Sequence, residues 1–354
     1  MNKLPLILLS LTLSSAPAGQ AGGELALTDR QQHGGVCSAS GAVAVGSGKF
    51  LVADDEDNCL RLYDAAPGGR PLQQFELDKF LKLEEKGKES DLEAATWLNG
   101  RVFWITSHGN NSEGEERLNR RRLFATTVRE VGGKIEVEPQ GKPYRTLLND
   151  LLTNPKFKAL KLGQLSKKAP EKGGINIEGL TATPDNRLLI GFRSPLLDEG
   201  KALLVTLRNP DEVVNATAPA AYDEPRLLDL GGLGVRSIEY IKERRAYLII
   251  AGPDGSKGEF RLYEWQGGMA QPRQLASLSK LLSAHGIDEK EAGPEALFFD
   301  PRSGQVRILL DEGDRQSGGV RCKDLDKAEL KSKPCKDSDK KHFTSFRLVG
   351  LGAN

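Results

Sequence analysis

The sequence predicts an all-β fold, a β-propeller of five blades. Glycine makes up 39 of the 354 residues, and short apolar strands recur along the chain between turns of Gly, Pro, Asn and Asp. Units of about 50–85 residues, each a small antiparallel sheet that cannot bury both faces alone, are typical of a propeller. Six blades remain an alternative, because the stretches 143–172 and 315–342 are only loosely assigned to a unit.

Each unit begins with a short strand that carries a polar residue near its start. This residue is Glu93, Glu178, Glu239 or Glu295 in four units, and Ser40 takes the position in the N-terminal unit. A turn and a second apolar strand follow, as in Val102–Thr106 and Leu188–Phe192. A third strand and often a weaker fourth complete the unit. The last unit lacks an obvious fourth strand, and we expect Glu24–Thr28 to supply it and close the ring.

Two stretches interrupt this repeat. Within 143–172, leucines recur at helical spacing (Leu147, Leu148, Leu151 and Leu152), which predicts a helical insertion. The stretch 315–342 is dense in Lys, Arg, Asp and Glu, which predicts an exposed loop inside the last blade.

The N-terminus reads as a secretory signal peptide over residues 1–21. Lys3 precedes the apolar run Leu4–Leu13, and small residues follow with cleavage positions after Ala18 or Ala21. A buried N-terminal strand is the alternative. We therefore expect an exported protein, periplasmic or secreted, with residues 22–354 as a single propeller domain.

Export would allow four cysteines to form two disulfides. Cys322 and Cys335 are close in sequence and are the favoured pair, which leaves Cys37 for Cys59. The sequence does not fix this connectivity.

Composition excludes several classes of function. The chain has 50 Lys and Arg against 49 Asp and Glu, and its aromatic residues amount to 6%, so we expect no nucleic-acid partner. No stretch outside the N-terminus approaches the ~18 apolar residues of a membrane span. Nucleotide-binding and zinc-protease motifs are absent from the sequence, so no organic cofactor is expected.

Strand spacing predicts a polar site at one mouth of the central channel. The first two strands of a blade run antiparallel, so a residue that starts one lies beside a residue that ends the other. Fifteen residues separate Ser40, Glu93, Glu178 and Glu239 from Asp55, His108, Arg193 and Asp254, and seventeen separate Glu295 from Glu312. We expect a small, anionic ligand there, bound by Glu93, Glu178, Glu239, Glu295 and Arg236.

Crowded carboxylates need protons, a cation or arginine to relieve their repulsion. Asp54, Asp55 and Asp57 form the densest run of oxygen ligands and, with Glu178, are candidates for holding Ca²⁺ or another divalent cation. His108 is a candidate general acid or base, and Arg193 a candidate clamp for an anion. Each blade-start glutamate has a structural alternative, which is to accept a hydrogen bond from the backbone of the next blade.

Several strings together resemble a bacterial family known as domain of unknown function 3616. They are Ala53-Asp54-Asp55-Glu56-Asp57-Asn58, Trp104-Ile105-Thr106-Ser107-His108-Gly109-Asn110, Asn176-Ile177-Glu178-Gly179-Leu180, Leu189-Ile190-Gly191-Phe192-Arg193-Ser194-Pro195 and Ala251-Gly252-Pro253. The resemblance covers about residues 34–348 and implies the organisation of the fold, but no activity. More distantly, the Asn-x-Glu-Gly-Leu strand start is similar to secreted phytase-like propellers with esterase-like character.

Three functions remain open from the sequence. The first is a propeller that binds a small ligand or a divalent cation at its mouth. The second is a metal-assisted phosphoester or ester hydrolase, which the phytase-like resemblance implies. The third is a non-catalytic scaffold with a protein partner in the cell envelope. Whether His108 and Arg193 point into the mouth together separates the first two.

Overall fold

A computed structural model describes residues 23–85, 88–255, 258–331 and 333–352. The predicted signal peptide, residues 1–21, lies outside the described residues. Five four-stranded antiparallel sheets follow one another along the chain, and the innermost strand of each contacts the innermost strands of its two neighbours. This closed ring confirms a five-bladed β-propeller.

The strands are numbered in chain order, beginning with β1 (Ala26–Gly35). Blade 1 comprises β2 (Ala39–Gly46), β3 (Lys49–Asp54), β4 (Cys59–Asp64) and β5 (Gln73–Glu76). Blade 2 comprises β6 (Leu92–Leu98), β7 (Arg101–Thr106), β8 (Leu123–Val131) and β9 (Lys134–Tyr144). Blade 3 comprises β10 (Asn176–Ala182), β11 (Leu188–Leu197), β12 (Lys201–Leu207) and β13 (Arg226–Leu228). Blade 4 comprises β14 (Gly234–Ile241), β15 (Ala246–Gly252), β16 (Arg261–Trp265) and β17 (Arg273–Ser277).

Blade 5 combines both ends of the chain. It comprises β18 (Gly293–Asp300), β19 (Gln305–Asp311), β22 (Ser338–Val349) and β1, and the small hairpin β20 (Gln316–Ser317) and β21 (Val320–Arg321) interrupts it. The N-terminal β1 pairs antiparallel with the C-terminal β22, from Ala26 opposite Val349 to Gly35 opposite Ser338. An N-terminal strand therefore closes the ring in the predicted place, although it is longer than the predicted Glu24–Thr28.

The helices are short and lie between strands. The α-helices are α1 (Asp78–Leu81), α2 (Leu147–Thr153), α3 (Leu162–Leu165), α4 (Pro210–Val214), α5 (Leu278–Ser283) and α6 (Lys327–Leu330). The 3₁₀ helices are Leu118–Arg120, Pro155–Leu160, Pro170–Lys172, Lys242–Arg244 and Cys322–Asp324. The stretch 143–172 holds α2, α3 and two 3₁₀ turns, and Leu147, Leu148 and Leu151 are buried against blades 2 and 3. No helix among the described residues is long and apolar enough to span a membrane.

The hydrophobic core is divided among the five interfaces between neighbouring blades. Trp104 and Phe124 of blade 2, for example, pack in one cluster with Leu51 and Leu62 of blade 1. Similar clusters join the other four pairs of neighbours, including blade 5 and blade 1. Because the apolar faces of each sheet meet those of the next, no blade can be buried alone, as the repeat predicted.

Hydroxyl groups of the innermost strands tie neighbouring blades together. The Thr96 hydroxyl accepts a hydrogen bond from the backbone N–H of Ala182 in blade 3 at 3.1 Å. In the same way Thr181 accepts from the N–H of Tyr240 in blade 4 at 2.9 Å. These bonds satisfy backbone donors at the edge where one sheet faces the next.

Two disulfides fasten the segment 315–342 to blade 1. Cys37 bonds Cys322, and Cys59 bonds Cys335. The pairing expected from sequence proximity, Cys322 with Cys335 and Cys37 with Cys59, is therefore wrong. The segment folds back over blade 1, which brings its two cysteines to the starts of β2 and β4, a long-range arrangement that sequence spacing does not reveal.

Candidate functional site

A β-bulge recurs at the same place in the innermost strand of every blade. In each innermost strand, one extra residue stands unpaired between two residues that pair with the second strand of the blade. This holds for β2, β6, β10, β14 and β18. The five bulged residues are Ser40, Glu93, Glu178, Arg236 and Glu295. Because a bulge re-aims a side chain, the repeat brings these five residues together around the channel mouth.

This register corrects the alignment of blade 4. Arg236, not Glu239, takes the bulged position, and Glu239 lies three residues further along β14. In blades 2 and 3 the residue three beyond the bulge is Thr96 or Thr181, which accepts a hydrogen bond from the next blade. Glu239 accepts one from the backbone of Phe299. It therefore lies at the opposite end of the channel. The spacing argument misplaced it, because it assumed that the glutamates of blades 3 and 4 were equivalent.

The same register corrects the ends of the second strands. In each blade, the residue before the bulge pairs with a residue of the second strand. The residue after that partner is Asp55 in blade 1, Ser107 in blade 2, Arg193 in blade 3, Gly252 in blade 4 and Asp311 in blade 5. Asp55 and Arg193 were predicted. His108, Asp254 and Glu312 each lie one or two residues too far along the chain. Glu312 instead forms an ion pair with Arg315 at 2.8 Å, near Arg30 and Thr344.

Glu178 and Arg236 form the centre of the mouth. Nη1 of Arg236 lies 2.9 Å from Oε2 of Glu178 and 2.7 Å from Oε1 of Glu295. Nη1 of Arg193 lies 2.9 Å from Oε1 of Glu178 and its Nη2 donates to the carbonyl of Gly255. Burial alone would raise the pKa of Glu178, but the attraction of Arg236 and Arg193 outweighs burial and lowers it.

The neighbouring carboxyl groups titrate in the opposite direction. Burial, opposed in part by Arg236, raises the pKa of Glu295 to about 8. Burial and the repulsion of Glu178 and Asp91 hold the pKa of Glu93 well above its usual range. Carboxyl groups with opposite shifts therefore stand side by side at the mouth, a pattern frequent at functional sites.

Two polar groups on the blade 1 side of the mouth lack a hydrogen-bond partner among the described residues. They are Oγ of Ser40, which is 2% exposed, and Oδ1 of Asp55. Burial, with repulsion from Glu56 and Asp311, keeps the pKa of Asp55 well above its usual range. Buried polar atoms are normally paired, so these two mark a place for water or a ligand.

The spacing argument did not place three charged residues at this mouth: Asp91, Arg120 and Asp311. Nη1 of Arg120 lies 3.1 Å from Asp91, whose carboxylate also accepts from the Ser107 hydroxyl. Asp91 and Glu93 are two residues apart at the start of a strand, and residues at that spacing share a face. Period-two spacing could therefore have identified Asp91. Arg120 ends the 3₁₀ helix Leu118–Arg120, between β7 and β8, and reaches the mouth only through the fold.

His108 does not act with the mouth carboxylates. Its Nδ1 lies 2.8 Å from the carbonyl oxygen of Thr106, and its buried Nε2 has no hydrogen-bond partner among the described residues. Burial lowers its pKa to about 4, and the charges that act on it are Arg121 and Arg122. Arg193 binds Glu178 and the carbonyl of Gly255, so it shares no hydrogen-bond partner with His108 among the described residues.

The acidic run of blade 1 is divided between structural roles. Asp57 binds the buried Arg61 through both carboxylate oxygens and accepts from the N–H of Cys59 and Lys336, next to the second disulfide. Asp54 accepts from the N–H groups of Ser38 and Glu56, and burial raises its pKa to about 7. Asp54, Asp55, Asp57 and Glu178 thus form no common cage. Across the described ranges no three His, Cys, Asp or Glu side chains stand close enough to hold a metal ion.

The fold and the site together define a five-bladed β-propeller with a charged ring of bulged residues at one channel mouth. A family model described as Protein of unknown function (DUF3616) matches residues 135–309, which confirms the resemblance seen in the sequence. That match runs from the end of blade 2 through blades 3 and 4 into blade 5. A comparison with curated proteins finds no significant match.

Solved structures resemble the chain over most of its length. Glutaminyl cyclase from Myxococcus xanthus shares 13% identity with a TM-score of 0.46, covering 92% of this chain and 97% of the cyclase. The PQQ-bound aldose sugar dehydrogenase from Streptomyces coelicolor shares 13% identity with a TM-score of 0.41, covering 94% and 99%. At these values the similarities say nothing about activity, cofactor or substrate here.

Proposed function

We propose that this protein is an exported, ligand-binding β-propeller that takes a small organic cation at its carboxylate-rich mouth. The observation that carries the proposal is the charge balance of the mouth. Six carboxyl groups face three guanidinium groups and one ammonium group: Asp55, Asp91, Glu93, Glu178, Glu295 and Asp311 against Arg120, Arg193, Arg236 and Lys323. Protons can relieve the surplus at neutral pH, and a cation can replace those protons.

The balance argues for a cation rather than the anion expected from the sequence. Arg193 and Arg236 already bind Glu178, and Arg120 binds Asp91 and Glu89. An anion would have to compete with these carboxylates for the guanidinium groups. A cation would meet Glu93 and Asp55, which have no ion-pair partner among the described residues.

The arrangement favours an organic cation over a metal ion. Ca²⁺ needs six to eight oxygens around one point, whereas the mouth carboxyl groups are spread over four blades and no metal cage is formed among the described residues. Ammonium groups spaced along a short carbon chain can bind carboxylates that lie apart. A slender aliphatic diamine therefore suits the mouth better than a calcium ion does.

The test is a calorimetric titration of the chelator-treated protein with 1,4-diaminobutane at pH 8. We expect binding, and we expect Glu93→Gln to weaken it at least about tenfold, equivalent to about 1.4 kcal/mol. Gln keeps the shape of the side chain and removes only the charge. Glu76→Gln, at an exposed position at the end of β5, is the matched control and should bind as the unchanged protein does.

Other outcomes contradict the proposal. Failure of the diamine to bind, or equal affinity in Glu93→Gln, would exclude a cation site at the mouth. Calcium binding without diamine binding would mean that the site takes a metal ion and not an organic cation. The sequence suggested such a site with Asp54, Asp55, Asp57 and Glu178.

A second candidate is a hydrolase that uses acid–base catalysis, because the pKa of Glu295 is raised and that of Glu178 is lowered. Protonated Glu295 would donate to a leaving group, and ionised Glu178 would accept a proton from water. The metal-assisted, phytase-like hydrolase stays a hypothesis, because no group of side chains that could hold a metal ion occurs among the described residues. Turnover of p-nitrophenyl acetate or p-nitrophenyl phosphate that Glu295→Gln abolishes would support this candidate, and silence with both esters would oppose it.

A further inference from the structure

A cavity of about 510 Å³ opens at the end of the channel opposite the mouth. Its wall is built from the far ends of the innermost strands and from the hairpin turns that follow them. Trp97, Tyr240, Phe299, Val128 and Ile135 give it a largely apolar lining, and Glu239 adds a carboxyl group. A partly enclosed apolar cavity with few polar groups is the usual form of a small-molecule site.

Glu239 does more here than its structural position requires. It accepts a hydrogen bond from the backbone of Phe299, as Thr96 and Thr181 accept from the next blade at the equivalent positions. A threonine satisfies that bond in two other blades. The glutamate therefore brings a second carboxyl oxygen to the cavity, and no ion pair of Glu239 occurs among the described residues. Burial raises its pKa to about 8, so the group is mainly a neutral hydrogen-bond donor at pH 7.

Trp97 is the most exposed of the large apolar side chains in this lining. It is 38% exposed, whereas Trp104 and Trp265 are 0% and 2% exposed. Its indole N–H donates to the carbonyl of Ala44 at 2.7 Å, which fixes the ring across the interface with blade 1. A fixed aromatic ring offers a ligand a contact surface at little entropic cost.

The charges of the cavity rim cancel. Three cationic and three anionic side chains line it: Arg129, Lys242 and Arg302 with Glu130, Glu243 and Asp300. This balance contrasts with the acidic mouth and selects neither a cation nor an anion.

We propose that this cavity is a second binding site, for a small neutral molecule that places an apolar or ring face on Trp97 and a hydrogen-bond acceptor on Glu239. It is independent of the proposed cation site, because the two lie at opposite ends of the innermost strands and share no residue. The chemical class is a neutral ring compound with a carbonyl or hydroxyl acceptor.

The test uses Trp97 as a reporter, because it is the accessible one of the three tryptophans. Benzamide and methyl β-glucoside, titrated separately, should protect the protein's fluorescence from quenching by acrylamide. Glu239→Thr should weaken this protection at least tenfold while the protein stays folded, because threonine retains the hydrogen bond to the next blade. Trp97→Phe should remove the acrylamide-sensitive signal, and Glu76→Gln, at an exposed position outside the cavity, is the control.

The possible results separate the alternatives. Protection by neither probe overturns the proposal, as does equal protection in Glu239→Thr. Glu239-dependent protection by benzylamine that exceeds the protection by benzamide would also overturn it, because the site would then select a cation. Loss of diamine binding at the mouth would leave this test unaffected.

Discussion

At the scale of single residues, the bulged position of each innermost strand decides what the mouth can do. Four of its five occupants are charged, and they are ordered around the ring so that Arg236 stands between Glu178 and Glu295. Removing water from these groups costs free energy, and each ion pair offsets only part of this desolvation penalty. Glu93 has no such partner among the described residues, so its burial is destabilising whenever it is ionised.

Glu93→Gln is therefore expected to stabilise the protein at alkaline pH. The pKa of Glu93 is raised in the folded state, so the folded protein holds a proton that the unfolded chain releases above its ordinary value near 4.5. Stability is full below that pH and falls as the pH rises toward the raised pKa. At pH 8.5 the variant should unfold at least about 2 °C higher, the shift that roughly 1 kcal/mol produces in a large domain.

The measurement is thermal unfolding followed by circular dichroism at pH 5 and pH 8.5. The gain should be smaller at pH 5, because that pH lies only just above the ordinary pKa near 4.5 and the proton held by folded Glu93 costs little stability there. Glu76→Gln should show no gain at either pH. An equal or lower midpoint for Glu93→Gln at pH 8.5 would mean that Glu93 is ionised and stabilising.

The sequence predicted part of this residue pattern. Glu93, Glu178, Glu295, Asp55 and Arg193 were found by spacing, because four blades share nearly the same distance from bulge to strand end. His108 was misplaced by one residue, because a bulge changes the register and leaves no mark in the sequence. Glu239 was misplaced because it was aligned with the glutamates of the other blades, whereas Arg236 takes the bulged position in blade 4. Asp311 was missed by one residue, because the spacing placed Glu312 at the end of β19. Arg120 depends on how the segment between β7 and β8 folds, which strand periodicity does not report.

At the scale of elements, the two disulfides fasten the segment 315–342 of blade 5 to blade 1. Cys37 precedes β2 and Cys59 begins β4, both at the mouth end of the blade. Lys336 adds hydrogen bonds to Asp57 and to the carbonyl of Glu56. The charged segment, expected to be a solvated loop, is thus tied down beside the mouth.

Replacing both Cys59 and Cys335 with serine should destabilise the protein by about 2–5 kcal/mol, the usual cost of losing a disulfide. The lysines of the segment should become sensitive to trypsin at trypsin concentrations that leave the unchanged protein intact, because one of two covalent tethers is lost. Limited proteolysis with mass spectrometry measures this. Cleavage confined to the blades, with the segment intact, would contradict the tethering role.

At the scale of the whole molecule, the architecture could be predicted and the closure of the ring largely followed from it. Five repeats and a last blade with a missing strand required an outside strand, and β1 supplies it. Disulfide connectivity could not be predicted, because it depends on contacts 276 and 285 residues apart in sequence. The ring brings together side chains from five blades that no local pattern connects, and its two openings differ in charge.

The central claim is that protons occupy the surplus carboxyl groups of the mouth until a cation replaces them. The groups involved are Asp55, Asp91, Glu93, Glu295 and Asp311, whose pKa values are all raised, with Arg120, Arg193, Arg236 and Lys323 facing them. Cation binding should then release protons, and the affinity should increase with pH through neutrality.

The most direct measurement is calorimetry of 1,4-diaminobutane binding at pH 7 in phosphate and in Tris, two buffers with different enthalpies of ionisation. The account predicts that the observed enthalpies differ in the direction of proton release to the buffer, and that Glu93→Gln reduces the difference. Identical enthalpies in the two buffers, or proton uptake, would contradict it.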